Sequence, residues 1–314
     1  MKPVTLLIPA AVVVSFMLGA CSPGRAPSAT PADAVPPAGD QAYLDSVEQW
    51  RNERAEALRD PDGWLSFAGS GQVSMGSHSV GSAAGNDIVV PGGPAKWGVL
   101  HLGTDGALRF DAEPGSGVTV DGRPFRSLPL LTQLDEGGPT RIEAGPRRFY
   151  VVKTGDIHGW RFRDPQSPSL QAFKGVPHFP VDPSWRIEAD WHAYPEPVRI
   201  DLLTSNGTLE PAKVPGQAQF ERGGRRYTLR PILQEGDEAL FFILADRTSG
   251  KETYGGGRFL YAPPPRDGRL VLDFNKAQNP PCALNGHVVC PTAPPENRLD
   301  LRVEAGEKTY PLAH

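Results

Sequence analysis

The sequence predicts a mainly β protein in which one N-terminal helix is followed by two β-rich units. From about residue 87 onward, short apolar runs alternate with turn residues, and the 314-residue chain contains 35 glycines and 34 prolines. Such spacing is typical of β-sandwiches and barrels, because each tight turn between short strands needs residues of this kind. Near residue 50 the apolar residues instead recur at the period of a helix.

Residues 41–60 are predicted to form the N-terminal helix. A spacing of three to four residues, with charged residues on the other faces, connects Leu44, Val47, Trp50, Arg54 and Leu58. This spacing places the five side chains on one stripe of a helix. The turn sequence Asp60-Pro61-Asp62-Gly63 ends the pattern, so the helix is expected to stop there.

Several later segments have the two-residue period of strands. Residues 149–153 and 158–163 flank Thr154-Gly155-Asp156 and predict a hairpin. Apolar and charged residues alternate strictly from Trp185 to Trp191, as in a half-buried strand. Leu240–Leu244 is apolar throughout, which predicts a strand buried on both faces. We expect a first β unit over 61–140 and a second over 141–314.

The first twenty residues predict a secretory signal that is removed. Lys2 is followed by an apolar run and then by Leu18-Gly19-Ala20-Cys21, small residues before a cut site. Ending on a cysteine, the segment resembles the lipobox of bacterial lipoproteins, which implies cleavage before Cys21 and lipid attachment to it. Residues 21–40 are rich in proline, alanine and serine and predict a tether. We therefore expect a membrane partner through the lipid, and Ser22 favours the outer membrane facing the periplasm.

The charge balance excludes one class of partner. The chain has 32 basic and 36 acidic residues, a net charge of −4, and no basic run. A nucleic-acid-binding surface needs clustered lysine and arginine. We expect no nucleic-acid partner and no cofactor; a small molecule, a glycan or an envelope protein remain as possible ligands.

In the first β unit, Val80-Gly81-Ser82 is followed by Asn86-Asp87-Ile88-Val89. This order is similar to the strand–turn–strand core of the forkhead-associated family, so the first β unit resembles the forkhead-associated sandwich. The resemblance implies a β-sandwich but not phosphothreonine binding, because Ser82 stands where the family has its arginine and no Ser-x-x-His follows Asp87.

The second β unit contains the ordered motifs Asp246-Arg-Thr248-Ser-Gly250, Thr253-Tyr254-Gly-Gly-Gly257-Arg258-Phe259, Leu272-Asp273-Phe274-Asn275, Asn279-Pro280-Pro281-Cys282 and Cys290-Pro291. In these motifs the chain resembles the bacterial DUF1684 family, whose activity is not known, and the resemblance covers about residues 45–308. These motifs contain the densest polar chemistry of the chain. They therefore supply the candidate site residues.

A polar binding or catalytic pocket is predicted from these motifs, lined by Asp246, Thr253, Tyr254, Arg258, Asp273, Asn275 and Asn279. Arg258 follows three glycines and could receive an anion, or could be a structural arginine after a tight turn. Asp273 is its expected acidic partner, since a buried guanidinium needs one. Asp273 and Asn275 could instead cap the loop that follows them.

Cys282 and Cys290 are predicted to form a disulfide, because an exported protein meets oxidising conditions. Two alternatives stay open. His287 lies between the cysteines, in a Cys-x4-His-x2-Cys pattern that could bind zinc or copper, or the thiols could be unpaired. The predicted function is ligand binding by an anchored envelope protein; the alternative is a hydrolase with Asp273 or Asp246 as general base.

Overall fold

The computed structural model describes residues 41–234, 236 and 239–311. The predicted signal, the tether and Cys21 lie outside these residues. The helices are α1 (Gln41–Leu58), α2 (Pro168–Ala172) and α3 (Pro281–Leu284), with 3-10 turns at Trp64–Ser66, Pro183–Trp185, Phe274–Lys276 and Pro295–Asn297. In the part of the chain described, no helix combines the length and apolarity needed to cross a membrane.

A two-sheet sandwich follows α1. Its strands are β1 (Phe67–Val73), β2 (Gly76–Gly81), β3 (Ile88–Val89), β4 (Gly98–Leu102), β5 (Leu108–Ala112), β6 (Thr119–Val120), β7 (Arg123–Pro124), β8 (Ser127–Pro129), β9 (Ile142–Ala144), β10 (Arg147–Thr154) and β11 (Ile157–Arg163). The six-stranded sheet has the order β1-β11-β10-β9-β6-β7, and the five-stranded sheet has the order β3-β2-β4-β5-β8. One core joins them, with the rings of Phe110 and Phe149 6.2 Å apart.

The sandwich extends further along the chain than the sequence indicated. We expected the first unit to end at 140, but β9, β10 and β11 belong to the same sheet as β1. Antiparallel pairing of Phe67 with Arg163 closes this sheet. The hydrogen-bonded unit therefore runs to Arg163. The resemblance to the forkhead-associated sandwich stays a prediction.

The second unit contains a four-stranded sheet and a two-stranded sheet. Its strands are β12 (Arg186–Leu203), β13 (Leu209–Arg222), β14 (Arg225–Leu229), β15 (Leu240–Leu244), β16 (Arg258–Ala262) and β17 (Arg269–Asp273). The order is β14-β13-β12-β17 in one sheet, and β15 pairs with β16 in the other. The mainly β prediction is confirmed.

The strand β15 separates two apolar cores, which explains its apolar sequence. Phe242 and Leu244 pack in the core shared with the four-stranded sheet, whereas Phe241 and Ile243 pack in a second core. Successive side chains of a strand point to opposite faces, so both sets must be apolar. The prediction of a strand buried on both faces is confirmed.

Helix α1 packs against the second unit and against the start of the sandwich. Tyr43 and Val47 are buried on one side, and Leu58 joins a small core with Leu65 and Leu284. The helix ends at Leu58, two residues before the predicted boundary, because Asp60 already accepts a turn hydrogen bond from the amide of Gly63 (2.8 Å).

Candidate functional site

Arg258 is a buried structural cation. It begins β16 directly after Gly257, whose φ of 106° and close approach to the carbonyl of Leu244 leave no space for a Cβ. The guanidinium is 0% exposed and Nη2 lies 2.8 Å from Oδ2 of Asp246. It also donates to the carbonyls of Val303 (3.0 Å) and Ala305. Burial lowers its pKa and the Asp246 carboxylate opposes that shift. All these contacts are internal to the fold.

Asp246 and the two threonines near it form a closed turn. Oδ1 of Asp246 accepts from the amide of Thr248 (2.7 Å), and the hydroxyls of Thr248 and Thr253 share a hydrogen bond of 2.9 Å. Both threonines are buried. These side chains support the Arg258 ion pair and do not face a cavity.

Asp273 and Asn275 attach helix α1 to the second unit. The hydroxyl of Tyr43 donates to Oδ1 of Asp273 (2.9 Å), and Nδ2 of Asn275 donates to the Tyr43 oxygen (2.9 Å). Oδ1 of Asp273 also accepts from the amide of Asn275 (3.2 Å), which is the loop-capping alternative. Burial is the main cause that raises the pKa of Asp273, and the Tyr43 hydrogen bond partly opposes it.

The predicted open pocket of Arg258, Asp273 and Asn275 is therefore wrong. Arg258 pairs with Asp246 rather than Asp273, and both Arg258 and Asn275 are sealed from solvent. The physical reason is topological. Asp246 lies two residues after the end of β15, and β15 pairs with β16 so that Leu244 lies opposite Arg258.

Asn279 donates a hydrogen bond to a second buried ion pair, Arg54–Glu307, which the sequence analysis did not predict. Its amide donates to Oε2 of Glu307 (2.6 Å), and Oε1 of Glu307 lies 3.1 Å from Nε of Arg54. The Glu307 carboxylate is 0% exposed. A signal did exist, because Arg54 occupies the apolar stripe of α1. An arginine on that stripe needs a buried acidic partner.

Cys282 and Cys290 are adjacent free thiols, so the predicted disulfide is not formed in this structure. The amide of Cys282 donates to Sγ of Cys290 at 3.2 Å. Tyr254, predicted to line the polar pocket, instead has its hydroxyl 3.7 Å from Sγ of Cys282. The two cysteines lie at opposite ends of the segment 282–290.

His287 leaves the two thiols and lies on the sandwich. Its Nδ1 is 3.3 Å from the hydroxyl of Ser70 in β1. The Cys-His-Cys alternative therefore does not assemble, and no group of three metal-ligand side chains occurs among residues 41–234, 236 and 239–311. His287 therefore belongs to the surface of the six-stranded sheet and not to the pair of thiols.

That contact forms a small cleft, which we call the β11 cleft. Its cavity is about 230 Å³ and its walls are Trp64, Phe67, Gln133, Tyr150, Val152, Arg161, His287, Val288 and Val289. Side chains alternate along a strand, so Tyr150 and Arg161 point away from the core that contains Phe149 and Phe162. The segment 282–290 covers this outer face and makes the other wall.

Asn285 fixes the segment 282–290 onto the sandwich. Its buried side-chain amide donates to the carbonyls of Trp64 (3.1 Å) and Phe67 (2.8 Å). Trp64 and Phe67 themselves line the cleft. The side-chain amide of Asn285 therefore sets the distance between the wall formed by the sandwich and the wall formed by the segment 282–290. The β11 cleft therefore lies between the sandwich and the second unit.

Arg161 gives the cleft an uncompensated positive charge. Its Nη1 donates to the carbonyl of Trp160 (3.0 Å), and no acidic side chain of the described residues forms an ion pair with it. Burial lowers the pKa of Arg161. Burial, followed by the positive charge of Arg161, also lowers the pKa of His287. Both effects show a partly desolvated site that is short of negative charge.

A larger concavity of about 480 Å³ lies at one end of the sandwich. Its charged side chains are Asp105, Lys153 and Asp156, of both signs, and the two aspartates are exposed. Because charges of both signs line it, this surface is less specific for an anion than the β11 cleft.

Comparison with known proteins identifies the second unit. A family model described as a protein of unknown function (DUF1684) matches residues 171–308. An uncharacterized protein of Haloarcula marismortui, solved by NMR in solution, is 34% identical over 46% of this chain and 83% of its own, with a TM-score of 0.39. No curated protein matches. On this match, residues 171–308 of the chain belong to the DUF1684 family.

Proposed function

We propose that the protein is a lipid-anchored lipoprotein of the bacterial envelope that binds a small organic anion in the β11 cleft. The observation that carries the binding proposal is Arg161, a half-buried cation that faces a cavity and has no acidic partner among the described residues. Desolvating a charge without a partner is costly. A ligand carboxylate would supply the partner, and a charge-assisted hydrogen bond of this kind contributes about 1.5–3 kcal/mol.

The walls of the cleft define the rest of the ligand. Trp64 and Tyr150 present aromatic surface, and Val152 and Val288 add apolar surface. A cavity of about 230 Å³ is smaller than the roughly 300–1,000 Å³ of most ligand pockets. The ligand class that fits is a monocyclic or short-chain carboxylic acid. A neutral glycan would leave Arg161 uncompensated.

The lipid anchor is supported by Leu18-Gly19-Ala20-Cys21 and by the tether over 21–40. A tether of this composition would place the cleft in the periplasm, within reach of small acids. The change Cys21→Ser should leave the signal uncut or release the protein from membranes. A Cys21→Ser protein that is still cleaved and membrane-bound would contradict the anchor.

The hydrolase alternative, with Asp246 or Asp273 as general base, finds no support in the geometry. A general base must reach a substrate or a water in a concave site. The Asp246 side chain is 0% exposed in its ion pair with Arg258. Oδ1 of Asp273 already accepts from Tyr43 and from the amide of Asn275. Neither carboxylate lines the β11 cleft.

Binding of benzoate to the purified full chain tests the proposal. Isothermal titration calorimetry should give saturable binding of benzoate and weaker binding of benzyl alcohol, which has the same ring without the charge. Arg161→Met should reduce benzoate affinity at least about tenfold, which corresponds to about 1.4 kcal/mol. Arg123→Met is the matched control, because it removes an exposed cation on β7.

Two results would reject the cleft as an anion site. One is the absence of saturable benzoate binding to the unchanged chain. The other is equal affinity of the Arg161→Met and Arg123→Met variants, which would show that only overall charge matters.

A further inference from the structure

The two thiols near the end of the chain differ in accessibility. Cys282 lies in the first turn of α3 and is half-buried, whereas Cys290 is only 4% exposed. The Cys290 sulfur accepts the amide hydrogen of Cys282, which holds the two residues together while both are reduced. A reagent from solvent therefore meets Cys282 first.

The surroundings stabilise a thiolate on Cys282 and disfavour one on Cys290. The hydrogen bond from the Cys290 thiol is the main cause that lowers the pKa of Cys282 to about 7, against the effect of burial. The hydroxyls of Tyr254 and Ser205 lower this pKa further. The same hydrogen bond, together with burial, raises the pKa of Cys290. A thiol whose pKa is near ambient pH is the best attacking group in disulfide exchange.

We infer that Cys282 and Cys290 form a thiol–disulfide exchange site, in which Cys282 attacks and Cys290 resolves. The inference rests on their adjacency, on their unequal exposure and on the Tyr254 hydroxyl that faces Cys282. It is independent of ligand binding in the β11 cleft.

The co-reactant is a low-molecular-weight disulfide. The Cys282 thiolate attacks one sulfur of that disulfide, forming a mixed disulfide and releasing one thiolate. Cys290 then gives its proton to solvent or to the released thiolate and attacks Sγ of Cys282. The second half of the reagent leaves as a thiol. Two electrons pass from the protein thiols to the reagent, and the protein gains one intramolecular disulfide.

The same contacts favour a reversible Cys282–Cys290 disulfide over a permanent one. Tyr254 and Ser205 stabilise the reduced protein by hydrogen bonding to Cys282, and stabilising the reduced form makes a disulfide easier to reduce. Asn285 holds the middle of the segment 282–290 on the sandwich in this reduced form. The thiols therefore stay adjacent without a covalent bond, and oxidation and reduction need little movement of the chain.

The test uses the reduced full chain, oxidised glutathione and peptide mass spectrometry. The unchanged protein should form a Cys282–Cys290 disulfide that is reduced again by excess reduced glutathione. Cys290→Ser should accumulate a glutathione adduct on Cys282. Cys282→Ser should show little adduct on Cys290, because that thiol is buried. Cys21 is on a different peptide and does not affect the assignment.

Alkylation of the unchanged, reduced protein checks the same assignment without a variant at either cysteine. Iodoacetamide at pH 7 should modify Cys282 first and Cys290 only after denaturation. Tyr254→Phe should slow the modification of Cys282 severalfold, because losing the hydrogen bond raises the pKa of Cys282 and leaves less thiolate at pH 7. A disulfide that resists excess reduced glutathione, or equal reactivity of both thiols in the folded chain, would overturn the inference.

Discussion

Two arginines of this protein have opposite surroundings. Arg258 is completely buried, with Asp246 and backbone carbonyls around its guanidinium. Arg161 is half-buried beside a cavity, and its one described hydrogen bond is to a backbone carbonyl. The sequence predicts Arg258 as a site residue, because it follows three glycines and lies within a family motif. Arg161 lies in a strand without such a motif and was not predicted as a site residue.

From this comparison, we expect a buried charge to indicate function only when its partners are missing. Asp246 and the backbone carbonyls offset most of the free energy of desolvating Arg258, and among the described residues only its Nε has no hydrogen-bond partner. Arg161 has lost part of its hydration, and no acidic side chain in the described part of the chain forms an ion pair with it. In this protein, a charged side chain whose hydrogen bonds are made within the fold therefore has a structural role. A charged side chain that lies beside a cavity without an acidic partner is the candidate for ligand binding.

The largest expected effect is that of Arg258→Met. The change leaves the Asp246 carboxylate buried without its cation, and breaking a buried pair in this way costs about 3–5 kcal/mol. Urea unfolding of the full chain, followed by circular dichroism, measures the free energy of unfolding. The matched control is Arg247→Met, which removes an exposed cation paired with Asp300 and should cost less than about 1 kcal/mol. Equal losses for both variants would contradict the structural role of Arg258.

Glu307→Gln should have an intermediate effect. Glutamine keeps the shape of the side chain but weakens the hydrogen bonds with Arg54 and with the amide of Asn279. Hydrogen bonds to charged groups contribute about 1.5–3 kcal/mol, so we expect a loss of this size in urea unfolding. Glu304→Gln is the control, because Glu304 pairs with Arg302 at the surface. A cost for Glu307→Gln no larger than that of this control would exclude a stabilising role for the buried pair.

Local periodicity explains what the sequence predicted well. The stripe of α1, the alternation from Trp185 to Trp191 and the hairpin β10–β11 each depend on residues close together in the chain. The structure confirms all three, with Trp185 and Ala189 in the core. Each pattern reports which face of one element is buried, and this requires no knowledge of the neighbouring element.

The contacts that the sequence did not predict join segments that are distant in the chain. The acidic residue chosen for Arg258 was Asp273, but the hydroxyl of Tyr43, 230 positions away, donates to that carboxylate. The contact between Ser70 and His287 spans 217 positions, and nothing in either segment indicates the other. Asp246 was the exception, since recognising β15 and β16 as a hairpin would have placed it beside Arg258.

The smallest expected change in stability, and the sharpest contrast with Arg258, comes from Arg161→Met. Methionine keeps an unbranched apolar chain in the cleft and removes a desolvated cation. The loss of the hydrogen bond to Trp160 opposes this gain, so the net change should stay within about 1 kcal/mol.

The effect of benzoate on unfolding should distinguish the unchanged chain from Arg161→Met. At about 100 times its dissociation constant, a ligand adds about 2.7 kcal/mol to the stability of the protein that binds it. Thermal unfolding should therefore shift upward with benzoate clearly more in the unchanged chain than in Arg161→Met. A loss as large as that of Arg258→Met, or an equal upward shift in both proteins, would show that Arg161 is a second structural arginine.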